Sequence, residues 1–205
     1  MTSCEKIGFC DVQISKKFYI YPMKYLILLL VVASAYAQDS IAYKRSEWKH
    51  WIDADSDCQN TRQEVLIEES VIPVILDEKG CNVISGRWIC PYTGMIFTNP
   101  SMLDVDHMVA LEEAHQSGGW RWNKERKMLY ANELEQSTHL VAVYKGANRS
   151  KGSRKPNEWL PPNNYYRCIY ISDWVNVKMK WELTMTPDES EFIANYLETN
   201  CKETN

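Results

Sequence analysis

The chain has 205 residues, 23 Lys and Arg against 27 Asp and Glu, a net charge of −4 and 45% hydrophobic residues. That length suits one domain plus a segment removed from its front, and the sequence holds no internal repeat and no low-complexity linker. The acidic balance excludes a protein that holds nucleic acid through its overall charge, so any such contact has to come from local clusters.

Met23-Lys24-Tyr25 leads into an unbroken apolar run, Leu26 to Val32, and then into Ala33-Ser34 and Ala35-Tyr36-Ala37 before Gln38. A basic start, an apolar centre too short to span a bilayer and small residues before the cut describe a signal peptide over 23–37. Residues 1–22 precede it as an extension of unclear status, with the start at Met23 or upstream. The remaining 38–205 are expected as one secreted domain, monomeric and free of the membrane. Residues 1–37 carry four Lys and two acids, so this domain has a net charge of −6.

Its five cysteines, Cys58, Cys81, Cys90, Cys168 and Cys201, read as disulfides before metal ligands in an oxidising compartment. No Cys-x-x-Cys pair supports a zinc ribbon or thioredoxin motif. Spacing constrains the connectivity only weakly; the pairing expected is Cys58–Cys81 and Cys168–Cys201, with Cys90 free.

In chain order, an acidic stretch, Asp53 to Asp57, precedes a helix-compatible pattern over Gln59 to Ser70. Gly80 to Gly94 reads as a hairpin turning at Ser85-Gly86. Met102 to Val109 is a short strand and Thr138 to Tyr144 a clearer one, with a helical segment, Glu112 to Leu134, between them, broken at Gly118-Gly119. Tyr165 to Trp181 is amphipathic, with Trp174, Val177 and Trp181 near helical spacing. Thr186-Pro187-Asp188-Glu189 combines an N-cap, a first-turn Pro and a capping-box Glu. The helix that follows should run to about Thr199 and bury Phe192, Ile193, Tyr196 and Leu197.

Of the four histidines, His107 stands in Asp104-Val105-Asp106-His107-Met108-Val109. A carboxylate beside an imidazole at a strand end offers one pocket a hard oxygen ligand for Mg²⁺ and a base that titrates near neutrality. Phosphodiester hydrolysis needs both. About forty residues on, Asn148-Arg149-Ser150-Lys151-Gly152 follows the second strand. The Asn148 amide oxygen would complete the ligands of a metal held by Asp106, while Arg149 and Lys151 would meet the phosphate backbone. Lys145, Arg149, Lys151, Arg154 and Lys155 fall within eleven acid-free residues, although such a run is as a rule a solvated face. Asn148-Arg-Ser is also a glycosylation sequon, and a glycan there is incompatible with a metal site. Arg62 reads as a phosphate clamp or as an internal partner of Asp53, Asp55 or Asp57. Trp120 and Trp122 read as core residues or as base-stacking platforms.

Asp-Val-Asp-His, a strand and Asn-Arg-Ser-Lys together resemble the HNH (His-Asn-His) domain of RNA-guided CRISPR nucleases. The wider chain, over roughly 43–201, is more similar to small secreted HNH proteins related to the C-terminal domain of GmrSD-type restriction endonucleases. The segments that carry this likeness include Asp57-Cys58, Thr61 to Leu66, Ser85-Gly86 with Trp88, Pro91 to Gly94, Glu158 to Pro162 and Trp174 to Lys178. The resemblance implies an α+β fold with a ββα-metal (HNH) core, additional helices and disulfide stabilisation. It implies His107 as general base, with Asp106 and Asn148 holding one divalent cation, Mg²⁺ or alternatively Mn²⁺. Ala110 stands where relatives often have Pro. The middle position of the motif, often Asn, corresponds to His139, which either orients the base or is a structural histidine.

These readings support a secreted metal-dependent endonuclease that hydrolyses DNA, with RNA as the alternative substrate, at little sequence specificity. Arg62, Arg149, Lys151 and Arg154 are the candidate nucleic-acid contacts. The rival, of a different class, is a secreted disulfide-rich binding protein on an HNH scaffold without catalysis.

Overall fold

In the computed structural model, which describes residues 42–201, the loop that carries the acidic stretch ends at Asn60. The Asn60 side chain accepts the backbone N–H groups of Arg62 and Gln63 and so starts helix α1, Thr61–Glu68. Toward the other end, the Trp88 indole N–H donates to the Leu66 carbonyl at 2.8 Å, satisfying one of the acceptors a helix C-terminus leaves open. The signal peptide and extension expected over 1–37 lie outside the described residues.

Four short strands follow: β1 (Ile75–Leu76), β2 (Val83–Ser85), β3 (Trp88–Ile89) and β4 (Ile96–Phe97). The single hairpin expected across Ser85-Gly86 is not formed: β2 pairs with β1, and β3 with β4. The connecting backbone has other partners. Gly86 N–H goes to the Thr98 carbonyl, Arg87 N–H to Ser70 Oγ, and the Arg87 carbonyl accepts from Val71 N–H. Gly86 is also pressed against the Trp88 ring, where an added Cβ would lie 2.5 Å from it.

The centre of the fold is the antiparallel pair β5 (Leu103–His107) and β6 (Leu140–Tyr144), in register from Leu103↔Tyr144 to His107↔Leu140. The excursion between them holds α2 (Leu111–Gln116) and α3 (Lys124–Ala131), separated at Gly118-Gly119 as the sequence suggested. Helix α4 (Lys145–Lys151) starts directly after β6, followed by α5 (Arg167–Lys180) and α6 (Pro187–Asn200). The α6 capping box is complete, with Thr186 and Glu189 in their expected roles. Ile193 is buried, while Phe192, Tyr196 and Leu197 pack partly buried against the same core.

Because side chains alternate along a strand, β5 and β6 separate two cores. Leu103, Val105, Leu140 and Ala142 pack with Val65 and Leu66 of α1 and with Trp88. Val141 and Val143 join Met108, Tyr130, Ala147, Tyr170, Ile171 and Trp174 on the other side. Disulfides Cys58–Cys81 and Cys168–Cys201 tie the loop before α1 to the turn before β2, and the start of α5 to the end of α6. Cys90 is free and buried. The fold is α+β, with small antiparallel sheets and two disulfides. Among the described residues, no helix is long and apolar enough to cross a membrane.

Candidate functional site

Helix α3 ends beneath the β5–β6 pair, and its last four carbonyls all find donors. Asn132 Nδ2 donates to Met128 O at 2.8 Å and Asn132 N–H to Leu129 O at 3.3 Å. The other two donors are imidazoles: His139 Nε2 on Tyr130 O at 2.8 Å and His107 Nε2 on Ala131 O at 3.0 Å. A carbonyl only accepts, so both rings carry their proton on Nε2 and keep a lone pair on Nδ1. A helix C-terminus, with its partial negative charge, favours that arrangement.

His107 is buried, and burial, with His139 and the Lys151 ammonium adding to it, holds its imidazole well below the usual histidine value. The ring is therefore neutral at neutral pH. Its Nδ1 has no hydrogen-bond partner among the described residues. His139 is fully buried against the rings of Tyr130 and Trp181, which also touch each other, and its imidazole is held down to about 4, chiefly by burial. It does not line the cavity described below; it supports the Tyr130 carbonyl next to the one that orients His107.

Asp104 and Asp106, two residues apart, share the other face of β5. The Asp106 carboxylate accepts from the Tyr92 hydroxyl at 2.8 Å and from the Lys151 ammonium, which lies 2.8 Å from Oδ2 and 3.1 Å from Oδ1. Burial pushes this carboxyl up, while Lys151 and the Tyr92 hydroxyl pull it back toward the ionised form. Lys151 also donates to the His107 carbonyl at 3.0 Å. It has no exposed surface, so the expectation that it meets a phosphate backbone is corrected: an ammonium enclosed by Asp106 and a carbonyl reaches no ligand outside.

Asn148, on the same face of α4 three residues before Lys151, donates Nδ2 to Asp104 Oδ2 at 3.1 Å. The nitrogen a glycan would occupy is thus engaged, and the amide oxygen is left over. Asp104 was not picked out from the sequence as a site residue, although the two-residue strand repeat puts it beside Asp106. Tyr92 carried no such signal, because it reaches Asp106 from a separate hairpin.

These groups meet at a cavity of about 300 Å³ lined by Asp106, His107, Asn148 and Arg149, with Tyr43, Arg45 and Glu112 on its other side. Its donors suit a hard divalent cation, since carboxylate and amide oxygens are the ligands Mg²⁺ and Mn²⁺ prefer. Lys151 offsets the Asp106 charge and Asp104 adds a carboxylate beside Asn148, while Arg45 and Arg149 bring cations to the lining. Arg149 is exposed at the rim; Arg154 is exposed too but does not line the cavity, and its Nε donates to the Lys151 carbonyl at 3.2 Å. Arg62 lies elsewhere. Its Nη2 donates to the carbonyls of Pro100 and Leu103 at 3.1 and 3.2 Å, anchoring α1 to β5, so its partner is backbone and not the acids at 53, 55 and 57. Trp122 packs on Trp48, Tyr130 and Trp181 within the core, whereas Trp120 is half-buried under Arg121.

Residues 60–196 match the family described as GmrSD restriction endonucleases, C-terminal domain. A protein of Arthroderma benhamiae, named "Uncharacterized secreted protein", is 34% identical over 157 residues, which cover 77% of this chain and 75% of its own. No solved structure matches.

Proposed function

The chain belongs to the family of GmrSD restriction endonuclease C-terminal domains, and from that membership we propose that it is a secreted, metal-dependent endonuclease of the HNH type. The ββα-metal core of that reading is β5, β6 and α4. One observation carries the reading: a neutral imidazole, fixed through Nε2, shares a polar cavity with Asp106 and Asn148. Secretion is supported by the name of the Arthroderma relative and by the two disulfides.

In this mechanism His107 Nδ1 takes a proton from the attacking water. The imidazolium so formed keeps its Nε2–H on the Ala131 carbonyl, and the α3 C-terminus stabilises the charge. Arg149 meets non-bridging oxygens of the phosphodiester at the rim. Asp106 and the Asn148 oxygen would hold one divalent cation, Mg²⁺ or Mn²⁺, with Asp104 adjoining. Such a cation, when bound, neutralises charge on the phosphate and on the leaving 3′ oxygen. No described element presents a base-reading module, which fits cleavage of DNA, or alternatively RNA, with little sequence preference.

The test is degradation of plasmid DNA and of RNA by the chain from Gln38, with Mg²⁺, Mn²⁺ or EDTA, beside His107→Ala. Cleavage should need metal and fall about 10²- to 10⁴-fold in the variant, with folding unchanged. Asn148→Ala should raise the metal concentration required. No cleavage of either substrate by oxidised, folded protein would transfer the reading to a non-catalytic binding protein. His107→Ala with full activity would remove His107 from the mechanism.

A further inference from the structure

Trp51 has a left-handed backbone, with φ of 59°; among the described residues the others with positive φ are glycines or Ser56, Cys58 and Glu182. A bulky side chain in that region is strained by about 1–3 kcal/mol and persists only where its surroundings over-determine it. Here they do. Asn132 Nδ2 donates to the Lys49 carbonyl on one side of Trp51, and Asn132 Oδ1 accepts the Ile52 N–H on the other. Thr61 closes the bracket, with its N–H and hydroxyl both donating to the Ile52 carbonyl.

The result of that strain is a ring placement. The Trp51 indole lies 5.8 Å from the His107 imidazole, with 26° between the planes. Tyr130 lies 6.2 Å from the same imidazole at 7°. Both aromatic planes therefore lie within about 30° of the imidazole plane, and Trp51 and Tyr130 make no ring contact with each other among the described residues. The bracket and the stacked rings also share one anchor. Tyr130 supplies a ring, Ala131 the carbonyl that holds Nε2, and Asn132 the side chain that fixes the Trp51 turn. Trp51 itself lies outside the family-matched residues 60–196.

We propose that Trp51 is a positioning residue for His107: its indole fixes the imidazole plane, keeping Nε2 on the Ala131 carbonyl and leaving Nδ1 for the water. This rests on the nuclease reading for its kinetic consequence, but its structural half can be read without catalysis. A hydrogen bond to one carbonyl leaves the ring free to swing about that contact, whereas stacking on its face removes the swing. Misplacement of a catalytic group by an ångström costs about 100-fold in rate.

The test uses Trp51→Gly and Trp51→Phe. Glycine adopts positive φ without strain, so it removes the ring while relieving the backbone. Phenylalanine keeps an aromatic face. In two-dimensional ¹H–¹⁵N spectra of histidine side chains, the wild type should show His107 as a single Nε2–H tautomer with upfield ring protons. Trp51→Gly should move those protons downfield and mix the tautomers, and Trp51→Phe should largely restore them. In kinetics, Trp51→Gly should lower kcat about 10- to 100-fold with KM within about threefold, and Trp51→Phe should recover most of the loss. Unchanged His107 resonances in Trp51→Gly would overturn the proposal, as would a folded Trp51→Gly with wild-type kcat. A wild type that cleaves nothing would instead remove the nuclease reading, and the resonances alone would then decide the placement of the ring. Should Trp51→Gly fail to fold, Trp51→Leu, which fills the space without a π face, gives the same readouts.

Discussion

Among the described residues two lysines have no exposed surface, and they are buried in different ways. Lys178 on α5 is closed in on every side: Glu113 Oε1 at 2.8 Å, Glu189 Oε1 at 2.8 Å, Ser117 Oγ at 3.0 Å and the Thr184 carbonyl at 2.9 Å. Its acceptors come from α2, from the loop after α5 and from the first turn of α6. Lys151 on α4 meets a single carboxylate, Asp106, which also borders the cavity. A closed knot with two carboxylates around one ammonium joins three helices and offers nothing to a ligand. The open knot holds a carboxylate in place at the edge of a cavity, where a second cation has access. The same pair of charges is architecture in one place and a prepared site in the other.

Breaking the closed knot should have the larger effect. Lys178→Met leaves Glu113 and Glu189 buried without a cation and should cost about 3–5 kcal/mol, a large part of a domain's stability. Urea unfolding measures it. Replacing Glu113 and Glu189 by Gln as well should recover most of the loss, because removing both signs of charge together avoids the unpaired state. A single variant that melts with the wild type would show that Lys178 is not the cation holding the three helices.

Lys151→Met should cost less, about 1–3 kcal/mol, because Asp106 keeps the Tyr92 hydroxyl and borders open space. The two knots should also differ in rescue. A divalent cation near Asp106 replaces the missing positive charge, so millimolar Mg²⁺ or Mn²⁺ should restore about 1–3 kcal/mol to Lys151→Met and none to Lys178→Met. Thermal melts of both variants with and without metal test this. Equal responses would erase the distinction between open and closed.

Only part of this difference is visible in the sequence. The α6 capping box was legible because Thr186, Pro187 and Glu189 signal within four residues. The buried partnership of Glu189 with Lys178 was not, since nothing local tells a capping Glu that also pairs inward from one that faces water. Asp106, His107 and Asn148 were legible as a motif of residue types. The destination of Lys151 was hidden by its neighbours: in a basic run it reads as one more solvated charge, although its three-residue offset from Asn148 puts it on the same helix face. Least legible were the contacts of His107 and His139, because their partners are carbonyls of Ala131 and Tyr130, and a backbone carbonyl leaves no trace in residue identity. The two strands were visible by hydrophobicity, whereas the split of β2 from β3 into separate pairs goes with contacts from Ser70 and Thr98 outside the expected hairpin.

A further, half-buried acid extends the comparison to a case with no paired lysine. Glu69, next to the end of α1, accepts the Ala142 N–H from the outer edge of β6 at 2.9 Å, and burial pushes its carboxyl up to about 7. The Ala142 N–H pulls it back, but less strongly. Between pH 4.5 and 7 the folded chain therefore holds a proton that the unfolded chain has released. Stability is full below pH 4.5, falls as pH rises through that window and levels off above it. Glu69→Gln keeps an acceptor for Ala142 and removes the titration. The variant should match the wild type at pH 4.5 and exceed it at pH 8 by about 1–2 kcal/mol, less than the roughly 3 kcal/mol of the full shift, because some water reaches the group. Melting temperatures of the two proteins across that range should diverge upward with pH. Parallel curves would mean that the β6 edge accommodates the charged form without penalty. A paired lysine would then not be what decides whether this fold tolerates a carboxylate out of water.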